Sequence, residues 1–260
     1  MRIIRYKTKH DEQKFGWVLD ESGAFYVGAI DGSPFGEFQR LDANINLEDV
    51  QLLPPVLPTK IIGVGHNYFA HVKEHSAEVP KIPLIFLKPS SALIGPGETI
   101  LLPPQSKQVE HEAELVAVVG RRARWVNTEN ALDYILGYTI GNDVTARDLQ
   151  NLDSQWTRAK GFDSFAPIGP WIKTDFDIAD AMISCYVNGE MRQMASTRDM
   201  IFSVRQLVAF ISNVMTLDPG DLIFTGTPAG VAPLSSGDQV EIMIEGLGSL
   251  SNPVKADTQH

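Results

Sequence analysis

Apolar residues in this chain fall in short runs broken by Gly, Pro and Asp, with few long helical stripes. Leu115-Val116-Ala117-Val118-Val119-Gly120 is apolar throughout and rich in Val, which predicts a strand buried on both faces. Similar short runs predict strands at Lys60 to Gly65, Pro83 to Lys88, Gly137 to Asp143, Ala181 to Val187, Leu222 to Thr225 and Gln239 to Glu245. Asn188-Gly189 after the fourth of these reads as a hairpin turn. Helical spacing is confined to Phe69 to His75, Thr128 to Leu136 (capped by Thr128) and the amphipathic run Met200 to Met215. Residues 1 to about 50 alternate strand-like runs with turns, and Leu53-Pro54-Pro55-Val56-Leu57-Pro58 reads as a stiff linker. The chain is therefore read as α+β and mainly β. A small N-terminal β unit spans residues 1–56 and the main domain residues 57–260.

The polar residues that interrupt these runs carry the chemistry. Ahead of the apolar strand stands Val109-Glu110-His111-Glu112-Ala113-Glu114, in which positions i and i+2 share a side. Glu112 and Glu114, together with Glu110, are expected to face one way at the mouth of a buried strand. Desolvated carboxylates on one face repel each other, and a divalent cation would compensate them; the bland alternative is a solvated acidic strand end. Asp143, at the end of another predicted strand, suits a third ligand. Three carboxylates without a soft ligand argue for a hard cation, Mg²⁺, with Mn²⁺ or Ca²⁺ as alternatives.

His71 and Glu74, three apart on a short helix, read either as an oriented general base or as an incidental surface pair. His71 and His75 are four apart, but without an HExxH pattern or a nearby Cys a zinc site is set aside. The polar, Pro-bounded Ser76 to Pro83 segment suits a mobile lid. Lys160 is either a surface lysine or a group that holds an oxyanion or carboxylate. Gly226-Thr227-Pro228-Ala229-Gly230-Val231 lets backbone N–H groups approach an anion, yet fits neither the P-loop nor the GxGxxG pattern.

Composition narrows the remaining choices. Of 260 residues, 43% are hydrophobic and 21% charged, ordinary for a soluble globular protein. A net charge of −10 argues against nucleic-acid partners and anionic membrane surfaces. The single Cys185 excludes an intramolecular disulfide and lies in a strand-like run, where a buried inert thiol is the simple reading. With no signal-like start and no apolar run of transmembrane length, the protein is expected in the cytoplasm.

Taken together, the motifs resemble the fumarylacetoacetate hydrolase family. The matching segments are Gly63 to Tyr68 with His71 and Glu74; Phe86 to Pro89; His111 to Leu115; Asp143 to Asp148; Lys160 to Phe162; and Gly226 to Val231, all in the family's order. The resemblance implies a mixed, strongly bent β-sheet roll with peripheral helices, commonly a homodimer. It implies that Glu112, Glu114 and Asp143 hold the metal, that His71 and Glu74 form the catalytic dyad with Lys160 beside it, and that Lys88, Arg147, Gln150 and Thr227 contact substrate or order the site. The implied substrate is a small 2-oxo acid and the implied reaction passes through a metal-stabilised enolate. Hydrolytic C–C cleavage of an acylpyruvate-type substrate is the leading expectation. Isomerisation of a 2-hydroxymuconate-type substrate and oxo-acid decarboxylation are the alternatives on the same site. A non-catalytic binding protein would have no need of the dyad.

Overall fold

The computed structural model describes residues 1–258. The N-terminal part forms strands β1 (Arg2–Lys7), β2 (Gln13–Glu21), β3 (Ala24–Gly32), β4 (Phe38–Asn46) and β5 (Gln51–Leu53). Next come β6 (Ile61–Gly65), helix α1 (Phe69–Glu74), β7 (Leu84–Lys88), β8 (Leu93–Ile94), β9 (Ile100–Leu102), β10 (Val109–Glu110) and β11 (Ala113–Val119). β12 (Ile135–Asn142), β13 (Thr145–Ala146), α2 (Arg147–Leu152), α3 (Thr157–Lys160) and β14 (Ala166–Lys173) follow. The chain closes with β15 (Met182–Val187), β16 (Glu190–Ser196), α4 (Val204–Val214), β17 (Leu222–Phe224), β18 (Gln239–Ile244) and β19 (Gly248–Ala256).

A twelve-stranded mixed sheet runs β4-β3-β2-β1-β14-β12-β11-β17-β6-β7, with β5 added to β1 and β8 to β14. A second sheet, β16-β15-β18-β19-β9, packs across β11, β12 and β14. β11 lies inside the large sheet between β12 and β17 with the second sheet across one face, and every residue from Ala113 to Val119 is buried. A strand covered on both faces has no solvent side on which to place alternate polar residues. The expectation of a mainly β mixed-sheet roll with few helices holds. No helix among the described residues is long and apolar enough to cross a membrane.

Three local readings are corrected. The segment read as a linker is packed: Leu53 pairs with Arg5, Arg5 Nη1 donates to Pro54 O (2.9 Å), and Val56 is buried. Moreover β1 pairs with β14, so the first five strands extend the large sheet. The helix expected over Thr128 to Leu136 is a 3₁₀ turn, Thr128–Tyr134, preceded by Asn127 as its cap; Ile135 leaves it to pair with Val119 in β12. The helix expected from Met200 begins only at Val204. Asn67 holds the preceding residues extended, its O accepting from Ile201 N (2.8 Å) and its Oδ1 from Phe202 N (2.7 Å). Gln206 Oε1 then accepts from Ser203 N (2.8 Å), which caps the late start.

Leu115 is fully buried between Glu114 and Val116 on β11, and its side chain points away from that of Glu114. Leu115→Ala should lower unfolding stability by about 2–5 kcal/mol in denaturant titration, the range for core Leu truncation, and leave divalent-cation binding unchanged.

Candidate active site

Strands β10 and β11 are interrupted at His111 and Glu112, and this break distributes the three glutamates. Glu110 does not join the other two as the alternation predicted. Its Oε2 accepts from Arg147 Nε (2.7 Å) and its Oε1 from Gln108 Nε2 (2.7 Å). Glu112 and Glu114 instead meet Asp143, which lies just past the end of β12. Asp143 N donates to Glu112 O (2.9 Å), so a backbone hydrogen bond sets the register of the two ligand-bearing segments. One carboxylate oxygen from each of Glu112, Glu114 and Asp143 lies within 4.8 Å of the others, and all three side chains are buried.

Cationic side chains surround this cluster. Lys160 Nζ donates to Glu112 Oε2 (2.8 Å) and Asp143 Oδ2 (2.6 Å). Lys88 Nζ donates to Asp143 Oδ1 (2.5 Å) and Val144 O (3.1 Å). Arg147 Nη2 donates to Glu112 and its Nη1 to Gln150 Oε1. Burial opposes ionisation of Glu112, but Lys160 and Arg147 outweigh it and hold the carboxyl far below the usual range. Glu114 accepts only from Gly226 N (2.7 Å); burial and the Asp143 and Glu112 charges push its pKa well up. Burial likewise disfavours the charge on Lys160, yet Asp143 and Glu112 prevail and hold it protonated. For Lys88 burial prevails and its pKa falls.

An oxygen-only set with one under-compensated buried carboxylate fits a hard divalent cation. Glu112, Glu114 and Asp143 are the residues that would hold it.

His71 and Glu74 sit on α1 as the three-residue spacing predicted, with His71 Nδ1 3.3 Å from Glu74 Oε2. The ring is buried, and burial above all lowers its pKa to about 4, against the opposing pull of Glu112. At neutral pH it is an imidazole with a free lone pair. Glu74 in turn accepts from Gly230 N (3.0 Å to Oε1). The glycine-rich loop therefore does receive anions, but they are the protein's own: Gly226 N faces Glu114 and Gly230 N faces Glu74. Both glycines have left-handed φ, +98° and +99°. A Cβ on Gly226 would lie 2.6 Å from Asn67 Cβ, and one on Gly230 would lie 2.1 Å from Arg192 O.

A cleft lined by His66, His71, Glu112, Asp143, Arg147, Gln150, Trp156, Lys160 and Thr227 gathers most of the sequence-derived candidates. Lys88 stays behind Asp143, fully buried, and orders the site without lining the cleft. Three further residues went unread. His66 has φ +56° and packs edge-on to Trp156, centroids 5.9 Å apart. Gln193 is buried and fully satisfied: Oε1 accepts from Ala113 N (3.1 Å) and pairs with His111 Nδ1 (2.9 Å), while Nε2 donates to Thr227 Oγ1 (2.8 Å) and Pro228 O (2.8 Å). It ties the loop that carries Thr227 to the strand that carries Glu112 and Glu114. The imidazole of His66 stood inside a quoted motif and could have been weighed; Trp156 and Gln193 carry no local signal.

Residues 60–255 match the family described as fumarylacetoacetate (FAA) hydrolase C-terminal, and residues 1–55 match one described as Rv2993c-like, N-terminal. The crystal structure of 2-hydroxyhepta-2,4-diene-1,7-dioate isomerase from Mycobacterium marinum is similar, with a TM-score of 0.92 and 46% identity over 100% of both chains. Oxaloacetate tautomerase Fahd2a, mitochondrial, of Rattus norvegicus is 42% identical over 214 residues, 78% of this chain and 68% of that protein. Maleylpyruvate hydrolase from Sphingobium sp. SYK-6, in complex with manganese (II) ion and pyruvate, has a TM-score of 0.80 and 30% identity, covering 99% of this chain and 100% of the other.

Glu114→Gln keeps the shape of the side chain and removes the charge a cation needs. By calorimetry it should weaken Mg²⁺ and Mn²⁺ binding by more than about tenfold, a loss that even outer partners of ligands produce. Unchanged affinity would separate Glu114 from the cation site.

Proposed function

This chain belongs to the fumarylacetoacetate hydrolase family, and on that premise we propose that it is an enzyme of enolate chemistry on small 2-oxo acids, with a divalent cation (Mg²⁺ or Mn²⁺) at Glu112, Glu114 and Asp143. The observation that carries this reading is the placement of a neutral His71 imidazole, paired with Glu74, in one cleft with a cluster of three buried carboxylates flanked by Lys160 and Arg147. A divalent cation supplies a positive charge that lowers the cost of negative charge developing on a 2-oxo oxygen.

The chain's own residues account for the remaining steps. Arg147 and Gln150 bind and orient the substrate's carboxylate end, and Thr227 forms part of the cleft wall, its hydroxyl accepting from Gln193 Nε2 and donating to Ala113 O. His71 Nε2, opposite the Nδ1 that faces Glu74, accepts a proton; Glu74 then stabilises the imidazolium and keeps the ring oriented. Lys160, charged and held between Glu112 and Asp143 at the cleft, meets the developing oxyanion. Delivering the proton to the 2-oxo oxygen gives tautomerisation, and delivering it to another carbon gives double-bond isomerisation. This reading is supported by relatives named isomerase and tautomerase at 46% and 42% identity, against 36% and 30% for two named hydrolases.

Hydrolytic C–C cleavage of an acylpyruvate is the second reading, favoured by the dyad itself. Glu74 anchored on Gly230 resembles a support for a base that activates water. The two are separated by incubating candidate 2-oxo acids with Mg²⁺ in deuterated water. Tautomerisation exchanges C3 hydrogen without net cleavage, whereas hydrolysis releases pyruvate stoichiometrically. No change in any 2-oxo acid would overturn both.

His71→Ala should reduce kcat by about 10²–10⁴-fold, as loss of a general base does. It should leave Mg²⁺ affinity intact. With the His71 pKa pushed down to about 4, the basic form persists as pH falls below the ordinary histidine range. The acid limb of kcat/KM should then lie well below pH 6.5. A limb at or above that value would assign the base elsewhere.

The protein is also proposed to be a homodimer in the cytoplasm. The outer face of the second sheet exposes Met182, Met191, Met194 and Met243, an apolar surface suited to self-association. Light scattering at micromolar concentration should give twice the chain mass of 28.6 kDa.

A further inference from the structure

The dyad has a third neighbour that the proposed reaction leaves idle. His75 follows α1 directly, and its ring stands edge-on to that of His71 with centroids 4.5 Å apart. One ligand atom from each of His71, Glu74 and His75 lies within 4.8 Å of the other two. The His71 ring is buried, while Glu74 and His75 are exposed.

We propose that His71, Glu74 and His75 form a second, inhibitory metal site, selective for Zn²⁺ and related borderline cations and distinct from the carboxylate cluster. Two imidazoles and one carboxylate with an open fourth position for water make a complete zinc set, for which neither Cys nor an HExxH pattern is required. Tetrahedral ligation at about 2.1 Å places ligand atoms about 3.4 Å apart; His71 Nδ1 and Glu74 Oε2 already stand 3.3 Å apart, and the ligand atoms of all three residues lie within 4.8 Å of one another. Rotation of the two exposed side chains supplies the remaining closure, because the buried His71 ring is already fixed. The i, i+3 and i+4 spacing puts all three on one side of the helical turn.

The two clusters differ in the chemistry they prefer. Imidazole nitrogens suit Zn²⁺, whereas Glu112, Glu114 and Asp143 present only oxygen, the donor of Mg²⁺ and Mn²⁺. Coordination at the second cluster occupies the His71 lone pair and withdraws Glu74 from Gly230 N, which removes the base without touching the first cation. Inhibition therefore rests on the dyad's proposed role, but the binding site itself does not.

The test uses the protein saturated with Mg²⁺, with Co²⁺ as a spectroscopic probe and Zn²⁺ as inhibitor. One equivalent of Co²⁺ should give a ligand-field band of a nitrogen-containing site, and Zn²⁺ should displace it and stop turnover. His75→Ala should abolish the band and raise the Zn²⁺ concentration for half-inhibition, relative to that variant's own uninhibited rate, by at least about 10- to 100-fold. His75→Cys should restore binding and add a thiolate charge-transfer band. Equal Zn²⁺ sensitivity of wild type and His75→Ala, or relief of inhibition by excess Mg²⁺, would place Zn²⁺ on the carboxylates and overturn the site. Co²⁺ binding that depends on His75 yet leaves turnover unchanged would uphold the site and overturn the dyad as base.

Discussion

The structure around the cleft depends on one constraint: carboxylates buried where water cannot solvate them. Glu110, Glu112, Glu114 and Asp143 are each at most 4% exposed. Isolated charges at such depth cost several kcal/mol apiece. The fold meets that cost locally. Arg147 spans Glu110 and Glu112, Lys160 spans Glu112 and Asp143, and Lys88 closes Asp143 from behind. Among these four, only Glu114 is left with a backbone amide and no cation within the described residues, which is why its pKa is pushed well up while that of Glu112 is held far below the usual range.

The loop after β17 connects this constraint to the base. Its glycines do not serve flexibility; their left-handed φ aims two amides at two carboxylates on different elements. Gly226 steadies Glu114 on β11 and Gly230 steadies Glu74 on α1. Gln193, from the second sheet, fixes the middle of the same loop through Thr227 and Pro228. Glu114, Thr227 and Glu74 thus share one short support, the loop from Gly226 to Gly230.

Legibility followed the range of the interactions. β11 was readable because burial on both faces leaves a continuous apolar run, and the hairpin at Asn188-Gly189 because a two-residue turn is a local event. The His71–Glu74 spacing was equally local. Errors arose where distant partners decide. Nothing near Met200 announces that Asn67 will hold residues 201 and 202 extended and delay the helix. Strict alternation placed Glu110 with Glu112 and Glu114, but the break at residues 111 and 112 and the arrival of Arg147 from α2 took it away. Proline richness made residues 53–58 look like a tether, although pairing with β1 and the burial of Val56 determine what they do. Gln193 was invisible for the same reason: its hydrogen-bond partners lie more than 30 residues away in both directions.

Charge balance supports the proposed choice of a small carboxylate substrate. Four carboxylates face three cationic side chains, so full ionisation leaves one negative charge, and Glu114, whose pKa is pushed well up, is the carboxyl on which that charge is least favoured. The proposed divalent cation would turn the balance to one excess positive charge. Burying that excess is as unfavourable as burying the negative one, and a single substrate carboxylate cancels it. Lys160, which bridges Glu112 and Asp143, is then no longer needed to hold them together. In the proposed reaction its ammonium would follow charge onto the substrate oxygen as the proton leaves carbon, a task for which a flexible four-carbon stem suits it better than the fixed fork of Arg147. The net charge of −10 repels anionic molecules, so the local reversal of sign would be what admits the proposed substrate.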